Sequence, residues 1–386
     1  MKYDFDEVIE RKNTNSIKYD FAGERGKPEG LLPLWVADMD FPAPPEVLRD
    51  IQKTVSHGIF GYTGAKGDYY EAVGGWFKRN FDYPVAREEI VKTPGVVFAL
   101  VMALRAYTNP GDSVLIQTPV YHPFYSVIRD NGRELVKNPL VYKDGKYSID
   151  FEDFECKAAA HKVKLFFLCS PHNPVGRVWT REELETLNTL CGRYRITVIS
   201  DEIHCDFIHE GHTHTVFGHL NENAVIATAP SKTFNLAGLQ VSNVFVKNDE
   251  LRRKLELEIR RSGYSQLNTI GLAACKSAYL YGGDWLNQLM PYLAGNISFV
   301  RDFLSGKLPK VKLVSPEGTY LLWLDFRELG LSHSELDTLI TQKAKLWLSS
   351  GTTFGEEGSG FQRVNIACPR VVLEEAMARL ESAMGD

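Results

Sequence analysis

The sequence predicts an α/β fold built on a sheet covered on both faces, and three observations carry that expectation. Residues 163–169, 196–200 and 224–229 are short, continuous apolar runs, the pattern of parallel strands buried on both sides. Helical periodicity fills 96–107 and 180–194, so strands and helices alternate along the chain. Each apolar run is followed within a few residues by a polar one, Asn173, Asp201 and Lys232, spaced 28 and 31 residues apart. Sheets of this class bind ligands just beyond the carboxyl ends of their strands.

The 386 residues allow two or three domains and a large core. With 44% hydrophobic and 24% charged residues, the composition is that of an ordinary globular protein. A net charge of −5 leaves no electrostatic footprint for nucleic acid. The basic run at 252–254 is interleaved with Leu and Glu, as on the wet face of a helix. No apolar run reaches the roughly 18 residues of a membrane span, and the polar start MKYDFDEVIERKN does not look like a signal peptide. Six cysteines are scattered without a CxxC pair, as expected of reduced thiols. The expected setting is cytoplasmic, with a small-molecule substrate and neither nucleic acid nor membrane as partner.

Residues 1–30 are polar and glycine-rich and read as an arm rather than core. A short apolar strand then runs into Trp35-Val36-Ala37-Asp38, and prolines at 42, 44 and 45 announce a helix. Gly61, Gly64 and Gly67 punctuate a loop around Tyr62, without the GxGxxG spacing of a dinucleotide site. Gly95 opens the helix 96–107, whose first N–H groups form an anion-attracting end near Val96 and Val97. Strand 113–117 delivers Tyr121.

After strand 196–200 comes Asp201-Glu202-Ile203-His204. A carboxylate at a buried strand end must be paired or hydrogen-bonded, because isolated burial costs several kcal/mol. Lys232 lies in a polar turn between strand 224–229 and a strand from Val241, with Ser231 beside it. A lysine held among apolar strands loses hydration, its pKa falls, and the neutral amine can form a Schiff base with a carbonyl. Beyond it lie a charged helix at 247–262, a long helix at 285–304, and a second α/β module. That module holds strands 311–314 and 319–326, a helix at 333–345, and Arg363 within FQRVNIACPR. His204, His209, His212, His214 and His219 form a dense run, but HEGHT is not HExxH and no obvious fourth ligand is near, so no metal is expected.

SKTFNLAGL, at 231–239, resembles the lysine motif of the fold-type I pyridoxal 5'-phosphate (PLP) enzymes, the aspartate-aminotransferase superfamily. WVADMDF, at 35–41, resembles its cystathionine β-lyase-like carbon–sulfur lyase branch, within the class I/II aminotransferases. NPVG at 173–176 and RVNIA at 363–367 extend the resemblance over nearly the whole chain. It implies a three-layer α/β/α PLP-binding domain with a mixed, mostly parallel sheet over 46–284, and a smaller α/β domain over 285–386. Residues 1–45 would form an amino-terminal arm and part of the small domain.

The resemblance also implies roles. Lys232 would carry PLP and act as base, Asp201 would pair with the pyridine nitrogen, and Tyr121 would stack on the ring. Gly95, Val96 and Val97 would hold the phosphate through backbone groups, with Ser231 and His204 completing the cofactor site. Asn173 would serve both the ring hydroxyl oxygen and the substrate. Arg363 would grip the substrate α-carboxylate at two points, beside the Ala37 loop. Tyr62 would reach the phosphate of the neighbouring subunit in a homodimer with shared active sites. Gln240 stands eight residues after the lysine, where many aminotransferases carry Arg, and Ala229 stands three before it in place of Ser or Thr. The lyase branch commonly lacks that Arg. The implied reaction is β-elimination from a thioether such as L-cystathionine; transamination between an L-amino acid and a 2-oxo acid is the alternative, and both use every residue named.

Overall fold

The computed structural model describes residues 3–385. The larger sheet has seven strands: β1 (Ile90–Thr93), β2 (Ser113–Thr118), β3 (Glu134–Pro139), β4 (Leu165–Cys169), β5 (Thr197–Asp201), β6 (Val225–Thr228) and β7 (Ser242–Phe245). Their order is β1-β7-β6-β5-β4-β2-β3. Only β7 runs antiparallel to its neighbours, so the sheet is mixed and mostly parallel, as expected.

Alternation along β4 shows why its sequence is continuously apolar. Leu165, Phe167 and Cys169 enter one hydrophobic core, while Phe166 and Leu168 enter another. Helix Val96–Tyr107 covers the first face with Val96, Ala99, Leu100 and Ala103. Helix Arg181–Tyr194 covers the second with Leu184, Leu187 and Cys191. Each of the fully buried Leu and Phe side chains of β4 contributes roughly 1.5–3 kcal/mol over an exposed one. Thr180 starts the second helix through a capping box, its Oγ1 accepting from the Glu183 N–H while Glu183 accepts from the Thr180 N–H at 2.8 Å.

The smaller sheet contains β8 (Lys312–Leu313), β9 (Leu321–Asp325), β10 (Ser349–Ser350) and β11 (Phe361–Asn365) in the antiparallel order β8-β9-β11-β10. Helix Gly283–Lys307 leads into it. The helix expected at 333–345 ends at Thr338 and passes into a π-turn, Leu339–Lys343.

Two expectations about the amino-terminal segment need correction. The strand there is only Leu32–Pro33, paired parallel with Leu346–Trp347, and Trp35 to Asp38 form a loop. The first thirty residues, read as an arm rather than core, also contribute to the core. Phe5 is buried against Phe41, Trp285 and Tyr292. Arg11 pairs with Asp38 and Asp40, and the buried Lys18 pairs with Asp40 at 2.7 Å. A buried ammonium persists only with such a partner, and these pairs fasten the loop that carries Ala37.

Candidate active site

Strands β4, β5 and β6 end side by side, with Cys169 opposite Asp201 and Asp201 opposite Ala227. Just past these ends lies a cavity of about 290 Å³, lined among others by Gly95, Tyr121, Asn173, Asp201, His204 and Lys232. The three polar residues that follow the apolar runs therefore converge. Asp201 is the last residue of β5 and is buried, with Oδ1 accepting the Ile203 N–H at 3.2 Å. Burial pushes its carboxyl up to about 7; the Ile203 N–H and the Lys232 charge oppose the rise.

Lys232 sits on a single helical turn, Pro230–Thr233, where a polar turn was expected. Pro230 suits the first helical position because its missing N–H would be unpaired there anyway. The half-buried Lys232 donates from Nζ to the Ala37 carbonyl at 3.1 Å. Desolvation lowers its ammonium to about 8, helped by the Arg363 charge and opposed by Asp38 and Asp201. Tyr320 donates to the same carbonyl at 2.8 Å, so Ala37 O is a shared anchor.

Gly95 precedes the helix Val96–Tyr107 with φ 145°, a conformation that strains any side chain. Val96, Val97 and Ser231 border the cavity beside it. His204 is buried, its ring edge-on to Tyr320, and Nδ1 has no partner. Burial, then the charges of Lys232 and Arg363, hold this imidazole well below its ordinary pKa, so it is neutral.

Arg363 faces this floor from the smaller sheet, on β11 between β9 and β10. Nη1 donates to Asn173 Oδ1 at 3.0 Å, and Nη2 donates to the Trp35 carbonyl at 2.8 Å and to Ser349 Oγ at 3.2 Å. The guanidinium lies 4.7 Å from the Phe354 ring centroid, and Nε has no partner. Among the described residues no carboxylate pairs with it. Burial lowers it only to about 10, so it remains a cation at neutral pH. A buried cation without a counter-charge is costly unless an anion joins it.

The sequence model of the family described as aminotransferase class I and II matches residues 29–380. The chain belongs to that family. Over 384 residues it is 44% identical to the cystathionine β-lyase PatB of Bacillus subtilis strain 168, covering 98% of this chain and 99% of the relative. It is 32% identical to protein MalY of Escherichia coli K12 over 99% of each chain. Cystalysin from Treponema denticola, whose crystal structure contains PLP, matches with a TM-score of 0.96 and 37% identity over 100% of both chains.

One residue was expected to serve a neighbouring subunit rather than this cavity. Tyr62 is 99% exposed and borders a groove with Pro94 and Gln240, two residues that also line the cavity. Tyr320 and Cys169 are site residues that sequence reasoning missed. Cys169 could have been found from strand register, since it lies opposite Asp201. Tyr320 immediately precedes β9 and carries no such signal. The histidine run has separate employments. His214 bonds the Glu202 carboxylate at 2.9 Å, His219 bonds the Phe81 carbonyl at 3.1 Å, and His204 faces the cavity. Among the described residues no three His, Cys, Asp or Glu side chains are grouped to hold a metal ion.

Proposed function

We propose that the protein is a PLP-dependent carbon–sulfur β-lyase, cleaving L-cystathionine or a similar cysteine S-conjugate to pyruvate, ammonia and a thiol. The observation that carries this reading is the convergence of Asp201, at the end of β5, and Lys232, just past β6, with Asn173 in one cavity, where burial raises the carboxyl and lowers the lysine. Relatives named cystathionine β-lyase and a PLP-containing neighbour support it.

The residues fit the cofactor. Among the described residues the Asp201 carboxyl accepts one hydrogen bond and is raised by burial, which suits it to a cationic ring nitrogen as second partner. The unpartnered His204 Nδ1 and the helix start at Gly95 suit a polar, phosphate-bearing group. When bound, PLP supplies an electron-poor ring that takes up the electron pair released at the substrate α-carbon.

Lys232 would hold the cofactor, and its free Nζ would be the base that takes the substrate α-proton, a contribution of roughly 10²–10⁴-fold. Its pKa near 8 keeps a usable fraction of neutral amine at physiological pH. Tyr121 would stack on the ring, Val96 and Val97 would offer backbone N–H groups to the phosphate, and Ser231 would join them. Asn173 steadies Arg363 through Oδ1 and would serve the ring hydroxyl oxygen. Arg363 binds the α-carboxylate and thereby gains the counter-charge it lacks. Gln240, in place of an arginine, leaves the phosphate with fewer charged partners. The exposed Tyr62 would reach the phosphate of a second subunit, in a cytoplasmic homodimer with shared sites.

The test is purified protein with PLP and L-cystathionine and no 2-oxo acid. Pyruvate and thiol released together over many turnovers support the lyase. Amino transfer appearing only on addition of 2-oxoglutarate would make it an aminotransferase instead.

A further inference from the structure

A second compartment of about 390 Å³ continues from the first, sharing Ala37, Tyr121 and Lys232 with it and extending toward the smaller sheet. Arg363 lines it, and so do two more cations, Arg25 and Lys27, supplied by the amino-terminal segment. Arg25 is not a freely waving side chain. Its guanidinium lies 5.0 Å from the centroid of the Trp35 ring, which is itself stacked on Trp347 at 4.4 Å with the planes 10° apart. Cation–π contact of this kind fixes the position of a charge without neutralising it.

Neither Arg25 nor Lys27 forms an ion pair among the described residues, and Lys27 is half-buried. The acid of this wall, Asp337, is already engaged, accepting from Gln362 Nε2 at 3.2 Å and lying 3.6 Å from His333. Glu24 and Glu29 flank the two cations in sequence but do not line the compartment. The compartment thus contains Arg363 and a second positive group, with Lys232 on its border.

We infer that Arg25 and Lys27 form a second anion subsite, which binds a carboxylate carried by the sulfur-linked leaving group. The preferred substrate class is then a cysteine thioether with a carboxylate at each end. This rests on the reading that Arg363 takes the α-carboxylate, and it adds a determinant of specificity to that reading. Arg25 is exposed and Lys27 half-buried, so their attraction is partly screened, and the preference is moderate and falls as salt is raised.

The test compares S-(2-carboxyethyl)-L-cysteine with its neutral near-isostere S-(2-carbamoylethyl)-L-cysteine, using PLP-loaded protein and pyruvate release. The wild type should favour the carboxylate about tenfold in kcat/KM, the scale of one charge-assisted hydrogen bond. The double variant Arg25→Gln, Lys27→Gln should lose most of that preference while its rate on the amide changes less than about twofold. The charge-conserving pair Arg25→Lys, Lys27→Arg should retain it. Equal wild-type rates on the two compounds would overturn the subsite, and so would a parallel fall on both in the double variant. If neither compound releases pyruvate, L-cystathionine run alongside decides the lyase reading, and the subsite is judged by binding through the change in the cofactor spectrum. There, equal affinities of the wild type for acid and amide overturn it, and a preference abolished in the double variant upholds it.

Discussion

The two walls of the cavity solve the problem of buried charge in opposite ways. The floor, at the strand ends of the larger sheet, holds groups that can surrender their charge: Asp201 rises to about 7 and Lys232 falls to about 8. The facing wall holds Arg363, which at about 10 cannot. The floor therefore stores reactivity, because groups poised near neutral pH exchange protons readily. The wall stores affinity, because its uncompensated cation is relieved only by an anion. Burial alone, acting on different side chains, divides the site into a chemical end and a binding end.

That division can be broken at either end. The largest effect belongs to Lys232→Ala, which removes the base and the cofactor anchor; turnover should fall by about 10³-fold or more, measured as pyruvate release. A fall under tenfold would place the chemistry elsewhere.

Next comes Asp201→Asn in protein freed of cofactor. The folded carboxyl titrates near 7 against 3.8 in its ordinary state, so the folded state holds the extra proton between those values. Stability from the neutral carboxyl is complete below about pH 4 and is lost as pH rises through 7, a swing on the order of 4 kcal/mol. The Asn variant should flatten that part of the denaturant-measured stability profile. Lys232 has the opposite sign, since the unfolded state binds its proton more tightly and stability rises from about pH 8 to 10.5.

Arg363→Met sharpens the contrast. Two charge-assisted hydrogen bonds to a carboxylate are worth roughly 3 kcal/mol or more, so kcat/KM should fall about a hundredfold. Thermal stability should change little, because an apolar side chain of similar size replaces a cation that has no counter-charge. A large drop in melting temperature would show the residue to be mainly structural. The smallest effect is expected from Tyr320→Phe, which leaves the Ala37 carbonyl to Lys232 alone. One hydrogen bond of about 1 kcal/mol predicts a fall in kcat of about fivefold, with a shifted pH–rate profile.

The same division separates what was legible in the sequence from what was not. Asn173, Asp201 and Lys232 follow apolar strands, and a strand end is a local pattern that periodicity reveals. Gly95 and the helix after it are equally local. The facing wall is assembled from distant pieces: Trp35 stacks on Trp347, Arg363 donates to the Trp35 carbonyl, and Tyr320 reaches Ala37. No short window records such pairings, and Arg363 was found only because its surrounding motif resembles a known family. The amino-terminal arm was misread for the same reason. Its polar composition hides Lys18, whose burial depends on Asp40, 22 residues further along.

The most direct measurement traps the cofactor on the chain. Holoenzyme reduced with borohydride, digested and analysed by mass spectrometry should carry a phosphopyridoxyl group on the peptide containing Lys232, and Lys232→Ala should carry none there. A label on a different lysine of the wild type, or none at all, would contradict the assignment of this cavity as the PLP site and of Lys232 as its anchor.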